Sequence, residues 1–209
     1  MLNGGASGGR SDVNASPRAV SYDGGVIRLA GIVIAACVSQ ACLVLTVNPS
    51  HDRESLVWEP ALVGDWHNAD DNSSLKIERA EWTSYMIEYV HPIETGQLTG
   101  YLTRIGKATY LDVMPARGQD HGSFLVPVHA TLRVALEGDR LELTALSYDW
   151  FYDRLKKRTP IAGLTIALDE KENALIVNST REIRAWLAKQ LPAGQALGAS
   201  AVFTRKPGA

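Results

Sequence analysis

The residues with the clearest capacity for chemistry lie in one polar stretch of the chain. Asp120 and His121 are adjacent, Ser123 follows two residues later, and His129 lies eight residues beyond His121. A carboxylate that orients a histidine, and a hydroxyl that the histidine activates, are the parts of a hydrolase site. No Gly-x-Ser-x-Gly nucleophile motif accompanies them in the last 150 residues. We therefore interpret the stretch as a polar loop, and we keep as the alternative a hydrolase that uses His121 with Asp120 or Asp112.

The same residue types could bind a metal ion through Asp120, His121 and His129. The sequence has no H-E-x-x-H motif, and its two cysteines, Cys37 and Cys42, lie in an apolar segment far from these residues. We therefore assign no metal ligand, no cofactor and no catalytic residue.

A second group of candidate residues is aromatic. Tyr148, Trp150, Phe151 and Tyr152 form the densest aromatic group in the chain. Such side chains line many ligand-binding mouths, although aromatic residues at helical spacing also form core. The basic stretch over residues 154–158 directly follows, and it suits either the negative end of a helix dipole or anionic lipid headgroups.

The overall composition excludes some classes of protein. The chain has 209 residues, a formal net charge of -2 and two cysteines. A nearly neutral chain lacks the basic field that attracts a polyanion, so we predict no nucleic-acid partner. Two cysteines are too few for a disulfide scaffold.

The apolar segment over residues 29–47 is the strongest signal of location. Its nineteen residues carry no charge, and as a helix they would be about 28 Å long, close to the thickness of a bilayer core. We predict a disordered tail over residues 1–25 and a transmembrane anchor or signal segment over residues 26–47. Because Ile34-Ala35-Ala36-Cys37 is similar to a lipobox, a lipoprotein with Cys37 acylated is a further interpretation, and a buried helix of a soluble domain is a third.

The positions of the cations predict the orientation. Arg10, Arg18 and Arg28 precede the apolar segment, whereas Arg53 is the one nearby cation after it. The positive-inside rule then places the N-terminus in the cytoplasm. We expect a cell-membrane protein, single-pass or lipid-anchored, with its C-terminal domain extracytoplasmic.

The remainder of the chain predicts a mainly β domain over residues 61–209, joined by a linker over residues 48–60. Apolar and polar residues alternate in short runs, with Gly106-Lys107 and Gly138-Asp139 as two-residue turns. Up to ten strands in an antiparallel meander would form a barrel-like domain.

Two short helices interrupt the predicted strands. One follows the capping residue Ser147 and stops before Pro160, and the other begins with the capping box Ser179-Thr180-Arg181-Glu182 and stops before Pro192. We expect these helices to lie over or across the mouth of the barrel.

Gly64-Asp65-Trp66 opens the first predicted strand of this domain. A G-x-W motif there resembles the lipocalin and calycin signature, in which the tryptophan plugs one end of the barrel. The resemblance implies a basic partner from the last strand, and Arg205 is the candidate for a cation–π contact with Trp66. The layout also resembles that of bacterial membrane-anchored and lipoprotein-like envelope proteins with such a β-domain. The resemblance implies a calycin-like fold and an envelope location.

The sequence thus favours a non-enzymatic envelope protein that binds a small apolar ligand or an envelope protein. An interior left partly open at Gly64, Gly100 and Arg104 would favour ligand carriage, and a filled interior would favour an interaction module. The candidate ligand-binding residues are Trp66, Arg104, Trp150, Tyr152 and Arg205.

Overall fold

The structure is a computed structural model that describes residues 43–92, 94–116, 127–170, 172–190 and 194–206. The predicted tail over residues 1–25, the lipobox cysteine Cys37 and the loop residues Asp120, His121 and Ser123 lie outside the described residues. The chain is mainly β, with two short helices.

Eight antiparallel strands form a closed barrel in the order β11-β2-β3-β4-β5-β6-β7-β8. The strands are β2 (Gly64–His67), β3 (Ser74–Arg79), β4 (Tyr85–His91), β5 (Glu94–Ile105), β6 (Ala108–Pro115), β7 (Ala130–Glu137), β8 (Arg140–Leu146) and β11 (Leu197–Arg205). Neighbouring strands from β2 to β8 are consecutive in the chain. Strand β11 closes the barrel by pairing with both β2 and β8. The prediction of an antiparallel barrel is therefore confirmed, with eight barrel strands where up to ten were predicted, because β9 and β10 form part of a separate sheet.

The two faces of the barrel strands pack into two separate cores. Inward residues such as Leu102, Leu111 and Leu143 fill the interior, and outward residues such as Ile105 and Tyr110 belong to a second core on the outer wall. Period-two alternation produces this division, because successive side chains of a strand point to opposite faces.

A small sheet covers part of the outer wall, in the order β1-β10-β9. It contains β1 (Val44–Thr46), β9 (Ile166–Leu168) and β10 (Ala174–Ile176), with β1 parallel to β10. The expected helix over residues 29–47 therefore does not extend through residues 44–46, which are a strand of the folded domain. Within the described residues, the structure contains no helix with the length and apolar character needed to cross a bilayer.

The helices are α1 (Tyr148–Lys156) and α2 (Thr180–Gln190). The Ser147 hydroxyl accepts from the Trp150 N–H, and the Ser179 hydroxyl bonds the Glu182 carboxylate, so both predicted caps are present. Both helices contribute apolar residues to the outer-wall core. They thus pack on the side of the barrel, and the expectation that they lie across its mouth is wrong, because their apolar faces match the outward residues of the wall.

We call the end of the barrel at which β2 begins and β11 ends the Trp66 end. It is formed by the hairpin turns at residues 80–84, 106–107 and 138–139. Gly106 and Gly138 have φ values of 60° and 58°, which confirms the predicted positive-φ turns. A 3-10 turn over Pro60–Leu62 lies immediately before β2 at this end.

Candidate functional site

The Trp66 side chain closes the barrel at this end. It is fully buried, and its Nε1 donates to the Leu62 carbonyl at 3.0 Å. The Arg205 guanidinium carbon lies 4.2 Å from the centroid of the Trp66 ring. The predicted cation–π contact is therefore present, and it joins the first barrel strand to the last.

Arg205 also ties down the segment that precedes the barrel. Its guanidinium donates to the carbonyls of Val63, at 2.8 Å, and Ala61, and its Nε pairs with Asp139 at 3.1 Å. A Cβ at Gly64 would overlap this guanidinium, and Gly64 has a φ of 144°. Glycine at this position thus leaves room for Arg205 and adopts a backbone that other residues rarely do.

The barrel interior is filled by side chains. A Cβ at Gly100 would lie 2.8 Å from Ile87 Cδ1 and 3.1 Å from Leu111 Cδ1, and a Cβ at Gly96 would overlap the Tyr89 ring. The interior core residues are at most 4% exposed. Gly64 and Gly100 therefore open no space inside the barrel, contrary to one reading of the sequence.

A cavity of about 230 Å³ does exist at the rim of the Trp66 end. The segment before the 3-10 turn forms one side, and the ends of the barrel strands form the other. It is lined by Val57, Trp58, Glu59, Leu62, Leu102, Arg104, Thr109, Val134 and Leu136. The cavity thus lies outside the packed interior, and Arg104 is the one predicted ligand-binding residue that lines it.

The Trp58 side of the cavity is held rigidly. The Trp58 ring stacks on Tyr85 with centroids 4.7 Å apart, and Arg79 lies 5.1 Å from its centroid. The Glu59 N–H donates to the Tyr85 hydroxyl at 2.8 Å, and the Val57 N–H donates to the Leu102 carbonyl at 2.9 Å. These contacts hold the segment that forms this side of the cavity against the barrel.

Arg104 supplies the cavity with an exposed positive charge. Among the described residues, no ion pair involves its guanidinium. The Glu59 carboxylate, which also lines the cavity, accepts from the Ala61 N–H at 3.0 Å and so caps the 3-10 turn. The rim therefore carries a cation that forms no ion pair with a described carboxylate.

The densest buried polar cluster surrounds Asp112, on the outer wall. Its side chain is fully buried, and its Oδ1 lies 2.7 Å from His129 Nδ1. The Ser50 hydroxyl donates to Oδ2 at 2.9 Å, and the Ser50 N–H donates to the same oxygen. His51 Nδ1 lies 3.4 Å from Oδ2, and the His51 ring stacks on Tyr101 at 4.3 Å.

These partners decide the protonation state of Asp112. Burial alone would raise its pKa, but the hydrogen bond from His129 and the approach of His51 outweigh burial and lower the pKa to about 2. Asp112 is thus a charged acceptor for several donors, which is the ordinary way in which a buried carboxylate is tolerated.

The Asp112 cluster holds the segment after β1 against the barrel. Thr46 and His129 exchange two backbone hydrogen bonds of 2.9 Å. Arg184 donates to the Ser50 carbonyl at 2.9 Å and to the Thr103 hydroxyl at 3.0 Å. Residues 48–60, predicted as a linker, therefore include a segment that is bonded along the wall.

Among the described residues, the Asp112 cluster contains no serine hydroxyl that donates to a histidine. Asp112 bonds His129, and the Ser50 hydroxyl donates to the carboxylate. The predicted partners Asp120, His121 and Ser123 lie outside the described residues. Within the described part of the chain, no group of three or more histidine, cysteine or acidic residues is placed to hold a metal ion.

The aromatic group of α1 lies apart from the cavity. Arg154 lies 3.6 Å from the Trp150 ring centroid, and Lys156 lies 4.9 Å from that of Tyr152. Phe151 is buried in the outer-wall core, with Trp150 packed against it. The structure thus brings Trp66, Arg104 and Arg205 to one end of the barrel and places Trp150 and Tyr152 on its side.

Sequence reasoning missed Trp58 as a cavity residue and Ser50 and His51 as partners of Asp112. All three lie within residues 48–60, which the sequence predicts as a linker. The consecutive apolar residues over 56–58 were the available signal, because a solvated linker seldom contains three such residues including a tryptophan. His51 had no comparable signal, since its partner is more than sixty residues away.

Comparison of the chain with models of protein families, with curated proteins and with solved structures finds no significant match. The resemblance to lipocalins therefore stays a prediction from the Gly64-Asp65-Trp66 motif and Arg205.

Proposed function

We propose that this protein is a non-enzymatic, membrane-tethered envelope protein with a calycin-like extracytoplasmic domain. Its ligand is a small apolar molecule with an acidic head group, and the ligand binds in the cavity beside Trp58. The single observation that carries the proposal is this cavity, which is lined by the half-buried Val134 and Leu136 and by an Arg104 guanidinium that forms no ion pair with a described residue.

The size and lining of the cavity support a short-chain ligand. An apolar cavity of about 150 Å³ accommodates benzene, so the cavity of about 230 Å³ has room for roughly nine carbon atoms. The half-buried side chains of Val134 and Leu136 offer the alkyl chain an apolar surface. Arg104 can donate two hydrogen bonds to a carboxylate, which is the geometry that a guanidinium favours. Medium-chain fatty acids have this chemistry.

Octanoate should bind the fragment over residues 38–209, and Arg104→Gln should weaken its binding by about tenfold, since the substitution removes the charge of an exposed residue that donates two hydrogen bonds to the carboxylate. Thr109→Phe should also weaken binding, because the added ring would occupy the cavity. Lys107→Gln is the matched control, since Lys107 is an exposed cation in the adjacent turn that does not line the cavity. Isothermal titration calorimetry measures each affinity.

An affinity that neither Arg104→Gln nor Thr109→Phe changes would contradict the cavity as the binding site. No detectable binding of octanoate would redirect the search to an envelope protein as the partner. The fragment has to include residues 43–60, because β1 and the Asp112 cluster are part of the fold.

The position of β1 supports a lipid anchor over a membrane-spanning helix. Because residues 44–46 form a strand, the uncharged segment before them shortens to residues 29–43. As a helix it would be about 22 Å long, which is short of the roughly 30 Å hydrocarbon core. The length suits the apolar region of a cleaved signal, with Cys37 as the acylated residue.

Cys37→Ser should abolish the lipid modification and release the protein from the membrane fraction. Cys42→Ser is the matched control, because Cys42 lies in the same segment but outside the Ile34-Ala35-Ala36-Cys37 motif. Intact-protein mass spectrometry of the two variants measures both cleavage and acylation. Retention of residues 1–36 in a membrane-bound Cys37→Ser protein would instead establish an uncleaved anchor.

A further inference from the structure

Trp82 is the most exposed large hydrophobic residue in the described part of the chain, at 87%. It lies at the tip of the turn that joins β3 to β4. The Ser84 N–H donates to the Glu81 carbonyl at 3.1 Å, and the Ala80 N–H donates to the Ser84 carbonyl at 2.9 Å. This tight turn holds the Trp82 ring away from the body of the domain.

The backbone of the turn is strained. Trp82 and Thr83 have φ values of 56° and 64°. Two positive φ values define the type I′ turn, where asparagine and glycine are favoured and a β-branched residue such as threonine is rarely found. Strained residues of this kind cluster at sites of recognition, so a tryptophan held outward by such a turn points to a contact with another surface.

Trp82 lies at the same end of the barrel as the cavity. The turn over residues 80–84 adjoins the Trp66 end, together with the turns at residues 106–107 and 138–139. Trp58 in the cavity wall stacks on Tyr85, which is the first residue of β4 after this turn. The exposed Trp82 and the proposed ligand site therefore both lie at the Trp66 end of the barrel.

The direction of β1, the first described strand, relates the segment before it to this end. Thr46 forms an antiparallel bridge with His129, just before β7, and β7 runs toward the Trp66 end. Consequently β1 runs away from that end, and Leu43 is nearer to it than Thr46 is. The apolar segment over residues 29–43 directly precedes this point. A tether in that segment would hold the Trp66 end toward the bilayer.

We propose that the Trp66 end docks on the lipid bilayer and that Trp82 inserts into its interfacial region. This inference rests on the proposed membrane tether. Tryptophan favours the membrane interface, where its ring is apolar and its N–H remains hydrated. In this orientation the cavity opens toward the source of an apolar ligand. We expect docking on zwitterionic lipid, because charges of both signs surround this end. These charged residues include Arg79, Arg104, Lys107, Glu59, Glu81 and Asp139.

The test uses the mature, full-length protein reconstituted through its own anchor into phosphatidylcholine vesicles, with or without dibrominated phosphatidylcholine. The difference in fluorescence between the unaltered protein and Trp82→Phe isolates the Trp82 emission from that of the other four tryptophans. We expect the brominated lipid to remove most of that emission, and aqueous acrylamide to quench it much less than in the soluble fragment. Trp82 emission that acrylamide quenches equally in both, and that brominated lipid leaves unchanged, would overturn the docking.

A second variant separates docking from folding. Trp82→Asn combined with Thr83→Gly places favoured residues in the type I′ turn, so its thermal midpoint should equal or exceed that of the unaltered protein. Crosslinking of Lys107 to a phosphatidylethanolamine doped into the vesicles should nevertheless fall several-fold. Equal crosslinking in both proteins would overturn the role of Trp82.

The failures of the two proposals remain distinguishable. Flotation of the vesicles measures the tether alone, and a chain that does not float would overturn the tether and the docking together. Octanoate binding to the soluble fragment measures the cavity alone. A fragment that binds octanoate, beside a floating chain whose Trp82 stays in water, would overturn only the docking.

Discussion

Replacing Asp112 with alanine should lower the free energy of unfolding by about 3–5 kcal/mol, because it leaves buried donors without their acceptor. Those donors are the Ser50 N–H, the Ser50 hydroxyl and His129 Nδ1. The segment after β1 would lose its main attachment to the barrel wall. Urea denaturation followed by circular dichroism measures the change.

Asp52→Ala is the matched control for this prediction. Asp52 pairs with Arg184 at 3.2 Å, but its side chain is 47% exposed, so its loss should cost at most about 1 kcal/mol. Equal effects of the two substitutions would contradict the structural role assigned to the Asp112 cluster. Asp112→Asn keeps the shape and removes the charge, and we expect an intermediate effect.

The same carboxylate should make stability depend on pH. Hydrogen bonding outweighs burial and lowers the pKa of Asp112 to about 2, below its ordinary 3.8. The unfolded chain therefore binds this proton first as pH falls. The contribution of the carboxylate, about 2 kcal/mol, is complete above pH 4 and is lost between about pH 4 and pH 2. In Asp112→Asn this part of the acid destabilisation should be absent.

The barrel and its helices were predictable because their signals are local. Alternation along β3 and β4, the glycines at positions 106 and 138, and the caps Ser147 and Ser179 each specify a structure within a few residues. A cap specifies where a helix begins, but not the surface against which it packs. The helix sequences alone therefore do not predict that both helices pack on the side of the barrel.

Strand β1 shows where a local signal was ambiguous. An apolar run without charge fits a membrane helix and a buried strand equally well. Residues 44–46 become a strand because β10, about 130 residues later, offers a parallel partner, and Asn173 accepts from the Leu43 N–H at 2.8 Å. Only the tertiary structure supplies these partners.

The candidate site was predictable only in part, for the same reason. The alternation of the strand predicts Arg104 as an inward polar residue. The cavity that it lines also requires Trp58, whose segment is far from β5 in sequence but bonded to it in the fold. At Gly100 the sequence predicts open space that the fold does not contain. A small inward residue suggests a gap, but the side chains of Ile87 and Leu111 fill it.

Arg205→Ala should lower the free energy of unfolding by about 3 kcal/mol. The substitution removes the cation–π contact with Trp66 and the charge-assisted hydrogen bonds to the carbonyls of Val63 and Ala61. Each of these contacts is worth about 1–2 kcal/mol. Arg140→Ala is the matched control, because Arg140 forms an exposed ion pair with Glu142 and should contribute less than about 1 kcal/mol. Urea denaturation midpoints of the two variants provide the comparison. An unchanged midpoint for Arg205→Ala would contradict a calycin-like closure of the barrel.

Gly64 provides an independent check on the same contact. Gly64→Ala should also destabilise the domain, since its Cβ would overlap the Arg205 guanidinium and its φ of 144° disfavours alanine. If that overlap is the main cause, removing the guanidinium relieves it. The double variant Gly64→Ala with Arg205→Ala should then be more stable than the sum of the two single effects predicts, by about 1 kcal/mol or more. Strict additivity would mean that alanine at position 64 acts through the backbone alone, and that Arg205 closes the barrel without requiring the glycine of the Gly64-Asp65-Trp66 motif.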